Sequence, residues 1–296
     1  MNKLMSLREA VSEYVKSGDT LFVAGAQHAT PSAGLHEIVR QRIDHLTIVS
    51  VLAQSTLLIG EGLVDKMITG YAIQDPEASY PLKRAQSMGR LPVFEEYSHF
   101  GVSLALFAGY MGIPFIPTRG HLGSDMPKYN DKIKIFDCPF GTGKLAAIRA
   151  IVPDVGIIHV QRADVEGNAQ KWGSIGVDQE GINASKKVII TAEEIVDSDV
   201  IRRDPNRTIV PGFRVNAVVR QPWGAFPARL VGYYNSAASV MRTDEDGFEE
   251  YLAALVHGVR DWDEYLEKIR EYLGREFFEN LRLKKAVKSE PIVTGT

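Results

Sequence analysis

Short apolar runs alternate with short helical segments from Ser6 to Pro117, and this alternation constrains the fold more than any other feature of the chain. Continuous apolar runs of this length suit parallel strands that are covered on both faces. The predicted strands are Leu21–Ala24, Leu46–Val51, Lys66–Ala72, Val93–Tyr97 and Phe115–Pro117. The predicted helices are Ser6–Lys16, Pro31–Arg42, Pro81–Met88 and Val102–Met111. The order favours an α/β fold: an open, mostly parallel sheet flanked by helices.

The rest of the chain continues the pattern with more strands. Predicted strands cover Lys144–Val152, Val155–Val160, Lys187–Thr191 and Ala217–Arg220, and a helical stretch from Phe248 to Leu273 is interrupted near Gly258. Neither an internal repeat nor a shift in composition divides the chain. We therefore expect a single domain over residues 1–284, with residues 285–296 as a frayed tail.

Composition narrows the class of function. The 296 residues carry 34 basic and 37 acidic side chains, so no concentrated positive charge predicts nucleic acid as a partner. Cys138 is the single cysteine, which excludes an internal disulfide. No apolar run approaches the ~18 residues of a membrane-spanning helix. The prediction is a cytoplasmic protein that does not associate with membranes.

The block from Tyr97 to Pro127 holds the strongest candidate site. It predicts a helix, a buried strand and a glycine-rich loop, with His99 at one end and Arg119 at the other. A loop that leaves the carboxyl end of a strand is where open α/β sheets bind ligands. The Arg119 guanidinium is placed to clamp a carboxylate, although a structural ion pair is the other interpretation.

Ser98 and His99 lie where a strand passes into a helix. An imidazole there can act as acid, base or hydrogen-bond donor near neutral pH, or it can simply cap and pack. After Arg119, the glycines allow the backbone to approach a ligand closely. The predicted ligand-contacting residues of this loop are Gly120, Gly123 and Ser124.

A second candidate loop joins the first strand to the helix that begins at Pro31. Gly25, Gln27 and His28 lie in it, beside backbone N–H groups that a helix N-terminus leaves free for an anion. An ordinary strand-to-helix turn is the alternative. Glu61, between two glycines, has the form of a nucleophilic carboxylate in a tight turn, but a surface β-turn explains it better. The seven histidines show no metal-ligand spacing.

Taken together, many short segments resemble the A subunit of the family I CoA-transferases, closest to the glutaconate CoA-transferase branch. The resemblance covers the chain from Leu7 to about Leu266. It rests on the segments Ser17–Asp19, Asp44–Thr47, Gly112–Pro117, Pro153–His159, Glu166–Asn168, Trp172-Gly173, Thr191–Ile195, Ile201–Pro205, Ile209–Gly212 and Pro222–Ala225.

The resemblance implies an active site formed between an A and a B subunit, in a heterodimer or heterotetramer. The nucleophile would be a glutamate of the B subunit, so Glu61 would not be catalytic and this chain alone would be inactive. The substrate would be a coenzyme A thioester of a short dicarboxylic or oxo acid, with no bound cofactor. This chain would line the acyl pocket and part of the oxyanion environment.

Related branches with the same two-subunit architecture do other chemistry: one hydrolyses cyclic CoA thioesters of steroid rings, and another decarboxylates a glutaconyl-type ester. The hydrolytic branch, which this chain also resembles, has its hydrolytic glutamate at the position of His99. It has an arginine at the position of Arg119. A CoA-ester hydrolase, a ring-opening C–C hydrolase or a decarboxylase with His99 in a direct role is the alternative enzyme. A stand-alone CoA-ester-binding protein that has lost its partner is the alternative of another class.

Overall fold

The structure, a computed structural model, describes residues 2–25, 28–52, 56–71, 80–141, 143–237 and 254–283. Twelve strands are found among them. They are β1 (Thr20–Val23), β2 (Leu46–Ser50), β3 (Val64–Thr69), β4 (Val93–Glu96), β5 (Phe115–Thr118), β6 (Ile133–Asp137), β7 (Lys144–Arg149), β8 (Val155–Ala163), β9 (Ala169–Gln170), β10 (Lys187–Ile195), β11 (Thr208–Val210) and β12 (Ala217–Arg220).

Seven strands form a parallel sheet in the order β4-β3-β2-β1-β8-β10-β12. β9 pairs antiparallel with the end of β8, and β11 pairs antiparallel with β9. The chain proceeds from β1 outward to β4 on one side and later fills the other side from β8. The order therefore reverses between β1 and β8, and the prediction of an open, mostly parallel sheet is confirmed.

A second sheet is antiparallel and has the order β5-β7-β6. Phe115–Pro117 belongs to it, so its prediction as a buried strand of the parallel sheet was wrong. Exposed and half-buried residues alternate along β5, and Phe115 is 44% exposed. An apolar run alone does not distinguish a strand covered on both faces from one that leaves a face open.

Ten labelled helices accompany the strands. They are α1 (Leu7–Tyr14), α2 (Ser32–Arg40), α3 (Thr56–Gly60), α4 (Tyr80–Ser87), α5 (His99–Met111), α6 (Met126–Tyr129), α7 (Asp178–Ala184), α8 (Ser198–Arg202), α9 (Trp262–Leu273) and α10 (Arg275–Leu281). α1 begins as predicted: the Ser6 side chain accepts from the Glu9 N–H, and the Glu9 carboxylate accepts from the Ser6 N–H. The sequence did not predict the strands β6, β9 and β11 or the helices α3, α6, α7, α8 and α10.

The core lies on both faces of the parallel sheet. Along β1, Leu21 and Val23 pack into one cluster with α1, α2 and the C-terminal helices, whereas Phe22 and Ala24 pack into the other cluster with α5 and α7. All four are at most 1% exposed. This two-sided burial is the reason that the strand reads as a continuous apolar run.

Glu61 follows α3, and its assignment to a surface turn was wrong. The residue is 6% exposed, and its carboxylate accepts from Arg84 Nη1 at 2.5 Å and contacts His257 Nε2 at 2.6 Å. These partners hold α3 against α4 and against the helical residues 254–258.

None of the described helices is both long enough and apolar enough to cross a membrane. The single domain over 1–284 stays a prediction. The predicted tail at 285–296 lies outside the described residues, as do residues 248–253 of the predicted helical stretch.

Candidate functional site

The link from Gly25 to Thr30, which we call the Gly25 turn, follows β1 at the carboxyl end of the parallel strands. Gly25 has φ +95°, and a Cβ there would lie 2.6 Å from Thr30 Cα, so the position requires glycine. The Gly25 N–H donates to Asp178 Oδ1 at 2.8 Å. Gln27, a predicted site residue, lies outside the described residues.

A buried ion pair between Lys171 and Asp178 supports the Gly25 turn. Asp178 Oδ2 bonds the Lys171 ammonium, and the two side chains are 1% and 0% exposed. Burial raises the pKa of the Asp178 carboxyl, whereas Lys171 and the Gly25 N–H act in the opposite direction. The pair therefore places both charges in the interior with each one compensated.

His28 is fully buried in the same turn. Its Nε2 accepts from the Val231 N–H at 2.9 Å. Burial, followed by the charges of Lys171 and Arg229, lowers the pKa of His28 to about 3, so the ring is neutral at physiological pH. The described geometry assigns this ring to holding the chain segment at Val231.

The first turn of α2 is covered by the segment from Gly224 to Val231. The Ala29 N–H donates to the Arg229 carbonyl at 2.9 Å, and the Ala33 N–H donates to the Gly224 carbonyl at 3.0 Å. Our expectation of free N–H groups therefore fails at these two positions, because the chain's own carbonyls occupy them.

Ser98 and His99 begin α5 at the end of β4. Ser98 is the N-cap, and its Oγ accepts from the Gly101 N–H at 2.9 Å. His99 is the first helical residue and is exposed, with its ring 6.2 Å from the Tyr71 ring. The His99 backbone packs on Gly70, where a Cβ would lie 2.7 Å from His99 Cα.

Arg119 follows β5 and is exposed. Within the described part of the chain its guanidinium forms no ion pair, so the structural ion pair finds no partner there. The Gly120 N–H donates to Thr118 Oγ1 at 3.0 Å. Gly123 has φ +78°, and both Gly123 and Ser124 are exposed.

His121 is a residue that the sequence did not single out. It has φ +69°, which is unusual for a residue with a side chain, and its ring reaches the start of α5. Nε2 lies 3.5 Å from Ser98 Oγ, and burial lowers the pKa of His121. Only its position between two nearby glycines hinted at a turn.

The predicted residues thus lie in two places. Ser98 and His99 begin α5, and the loop that carries Arg119 reaches this helix through the ring of His121, which was not predicted. We call these four residues the α5 cluster. The Gly25 turn lies at the end of β1, and β2 and β3 separate β1 from β4. Among the described residues no group of three or more His, Cys, Asp or Glu side chains could hold a metal ion.

Comparison with known proteins identifies the family. Residues 4–221 match the family model described as coenzyme A transferase. The chain is 35% identical over 282 residues to the A subunit of the 3-oxoadipate CoA-transferase of Pseudomonas knackmussii, covering 92% of this chain and 99% of the relative.

A solved structure and a further relative extend this result. The fold is similar to the crystal structure of glutaconate coenzyme A-transferase from Acidaminococcus fermentans, with a TM-score of 0.79, 31% identity and coverage of 95% and 96% of the two chains. The cholesterol ring-cleaving hydrolase IpdA subunit of Rhodococcus jostii is 26% identical over 278 residues, or 90% of each chain. The chain therefore belongs to the coenzyme A transferase family, among the A subunits of the glutaconate and 3-oxoadipate type.

Proposed function

We propose that this chain is the A subunit of a heteromeric CoA-transferase that moves coenzyme A between a short dicarboxylic or oxo acid and an acceptor acid. The partner would be a B-type subunit in a heterodimer or heterotetramer. The two transferase relatives support this, since they are named for glutaconate and 3-oxoadipate, which are both dicarboxylates.

The exposed Arg119 is the observation that carries the proposal. A guanidinium without a carboxylate partner in the described chain, beside a loop with Gly120 and Gly123, is available to a ligand. A planar guanidinium binds a carboxylate through two parallel charge-assisted hydrogen bonds. We assign Arg119 to the terminal carboxylate of the acyl group, with Ser98 and Ser124 beside it.

The proposed chemistry divides the exchange into simpler steps. A glutamate carboxylate, supplied by the B subunit, attacks the thioester carbonyl, and coenzyme A leaves as the thiolate with formation of an acyl-glutamyl anhydride. The thiolate then attacks the glutamyl carbonyl and releases the acyl group as a free carboxylate. Reversal of both steps with the acceptor acid completes the transfer.

In this proposal the A chain binds and orients, and the Gly25 turn contributes to the oxyanion environment. Hydrogen bonds to Asp178 and Val231 hold Gly25 and His28 in place.

The second candidate is a CoA-ester hydrolase, a ring-opening C–C hydrolase or a decarboxylase in which His99 acts directly. Two observations favour keeping it: His99 is exposed at the start of α5, and the hydrolase relative covers 90% of the chain. Such an enzyme needs no acceptor acid, so acceptor dependence separates it from a transferase.

The test is co-expression with a B-type subunit, purification of the complex, and incubation with glutaryl-CoA with and without acetate. Each mixture is reduced with borohydride and both subunits are weighed by mass spectrometry. We expect acetyl-CoA only when acetate is present, and a reduced glutamyl-thioester mass change only on the B subunit.

The matched control is Glu61→Gln in the A chain, which should transfer coenzyme A at the wild-type rate because the nucleophile is on the partner. Free coenzyme A or carbon dioxide released without acceptor, with no modified glutamate, would support the second candidate. Binding of the thioester by the A chain alone, without turnover in any mixture, would support a stand-alone binding protein.

A further inference from the structure

The backbone of His121 is held in a conformation that residues with side chains rarely adopt. Its φ is +69°, and Ser124 fixes it by donating twice to the His121 carbonyl, from N at 3.3 Å and from Oγ at 2.9 Å. A left-handed residue other than glycine carries strain, so surrounding contacts must hold it in this conformation.

The His121 ring occupies space that the sequence leaves for it. A Cβ at Gly101 would lie 2.6 Å from Nε2, so the absence of a side chain at Gly101 lets the ring approach α5. Ser98 Oγ accepts from the Gly101 N–H, and Nε2 of the His121 ring lies 3.5 Å from the same oxygen. When Nε2 accepts from the Ser98 hydroxyl, the neutral ring carries its proton on Nδ1.

The Nδ1 nitrogen is open to a ligand. His121 is half-buried, and no described residue forms a hydrogen bond with its Nδ1. Arg119, two residues earlier on the same loop, is exposed and without an ion pair in the described chain. One loop thus carries a guanidinium and an imidazole nitrogen, and neither has a described hydrogen-bond partner.

We propose that His121 contacts the substrate: its Nδ1–H donates to the terminal carboxylate that Arg119 clamps. The inference rests on the proposed function and deepens it, because it assigns two donors to one carboxylate and so selects acyl groups that carry one. A thioester without the terminal carboxylate would leave both donors unused.

The experiment uses His121→Gly in the complex with the B-type subunit, assayed with glutaryl-CoA and with butyryl-CoA. Glycine adopts φ +69° without strain, so the variant removes the imidazole and keeps the backbone. We expect kcat/KM for glutaryl-CoA to fall about 10- to 100-fold, as for a lost hydrogen bond to a charged group, and kcat/KM for butyryl-CoA to change less than about twofold. The thermal midpoint of the complex should rise by about 2 °C.

His45→Gly is the matched control. His45 also has positive φ, +55°, but it lies on the surface beside Asp65, away from α5. Its glutaryl-CoA to butyryl-CoA ratio should equal that of the wild type. Two results in His121→Gly would overturn the inference: an unchanged ratio of kcat/KM for glutaryl-CoA to kcat/KM for butyryl-CoA, or a lower thermal midpoint. A wild-type complex that does not prefer glutaryl-CoA would overturn the carboxylate pocket itself, which distinguishes the two failures.

Discussion

The Gly25 turn and the α5 cluster both lie at the carboxyl end of the parallel strands, yet their polar groups differ in burial and in hydrogen bonding. In the Gly25 turn, His28 and the ion pair of Lys171 and Asp178 are buried and bonded to other parts of the chain. In the α5 cluster, His99 and Arg119 are exposed, and Arg119 has no described ion-pair partner. The described polar groups of the first region are used within the chain, whereas the Arg119 guanidinium of the second has no described ion-pair partner and is exposed.

The difference shows that position at the carboxyl end of the strands does not by itself leave polar groups free for a ligand. The strand order reverses between β1 and β8, where open sheets usually bind ligands. Here the segments around Lys171 and Val231 cover the turn at that point. Substitutions in the covered region should therefore change stability first, and substitution of the exposed Arg119 should change turnover without changing stability.

The largest expected effect is that of Lys171→Met. Removing the ammonium leaves the Asp178 charge buried without compensation, which should lower the free energy of unfolding by about 3–5 kcal/mol. Urea denaturation followed by circular dichroism measures it. A loss below about 1 kcal/mol would mean that this pair does not support the Gly25 turn.

Glu61→Gln should have the next largest effect. The substitution keeps the volume but removes the charge that Arg84 and His257 share, at a cost of about 1.5–3 kcal/mol in the free energy of unfolding. The control is Asp199→Asn, whose partner Arg202 is 70% exposed and which should cost almost nothing. Loss of turnover in Glu61→Gln without loss of stability would contradict a structural role.

His36, a buried residue of α2, provides a test through the pH dependence of the free energy of unfolding. Burial lowers the pKa of His36 to about 3, whereas an unfolded histidine titrates near 6.5. The unfolded state therefore binds more protons below about pH 6.5, and stability falls as the pH falls. In His36→Leu the difference in unfolding free energy between pH 7 and pH 5 should shrink by about 2 kcal/mol. An unchanged difference would place the titration elsewhere.

The smallest effect is expected for Lys186→Met. Its ion pair with Asp154 is at the surface, with side chains 63% and 36% exposed, so the loss should stay below about 1 kcal/mol. The comparison with Lys171→Met measures how much burial alone changes the cost of breaking a lysine–aspartate pair.

Much of the fold could be predicted because it depends on local patterns. Leu21–Ala24 is covered on both faces and therefore reads as a parallel strand. The placement of Phe115–Pro117 in a separate sheet depends on its pairing with β7, which no local pattern shows.

The candidate site was predictable only in part, for the same reason. Residue type and loop position indicated His99 and Arg119, which stay predictions as site residues. The partners of Glu61 are 23 and 196 residues away, so nothing near it in the sequence signals its burial. The left-handed backbone of His121 depends on its contacts with Ser98 and Ser124, which form only in the folded chain.

The most direct test of the α5 cluster compares wild-type and Arg119→Ala complexes with glutaryl-CoA and butyryl-CoA, with the melting temperature measured alongside. If Arg119 clamps the terminal carboxylate, kcat/KM for glutaryl-CoA should fall roughly 30- to 1000-fold. This corresponds to a loss of about 2–4 kcal/mol of transition-state stabilisation. Butyryl-CoA and the melting temperature should be unaffected. An equal change in kcat/KM for both thioesters in Arg119→Ala would contradict a carboxylate pocket at this end of α5. So would a loss of activity that follows a loss of stability.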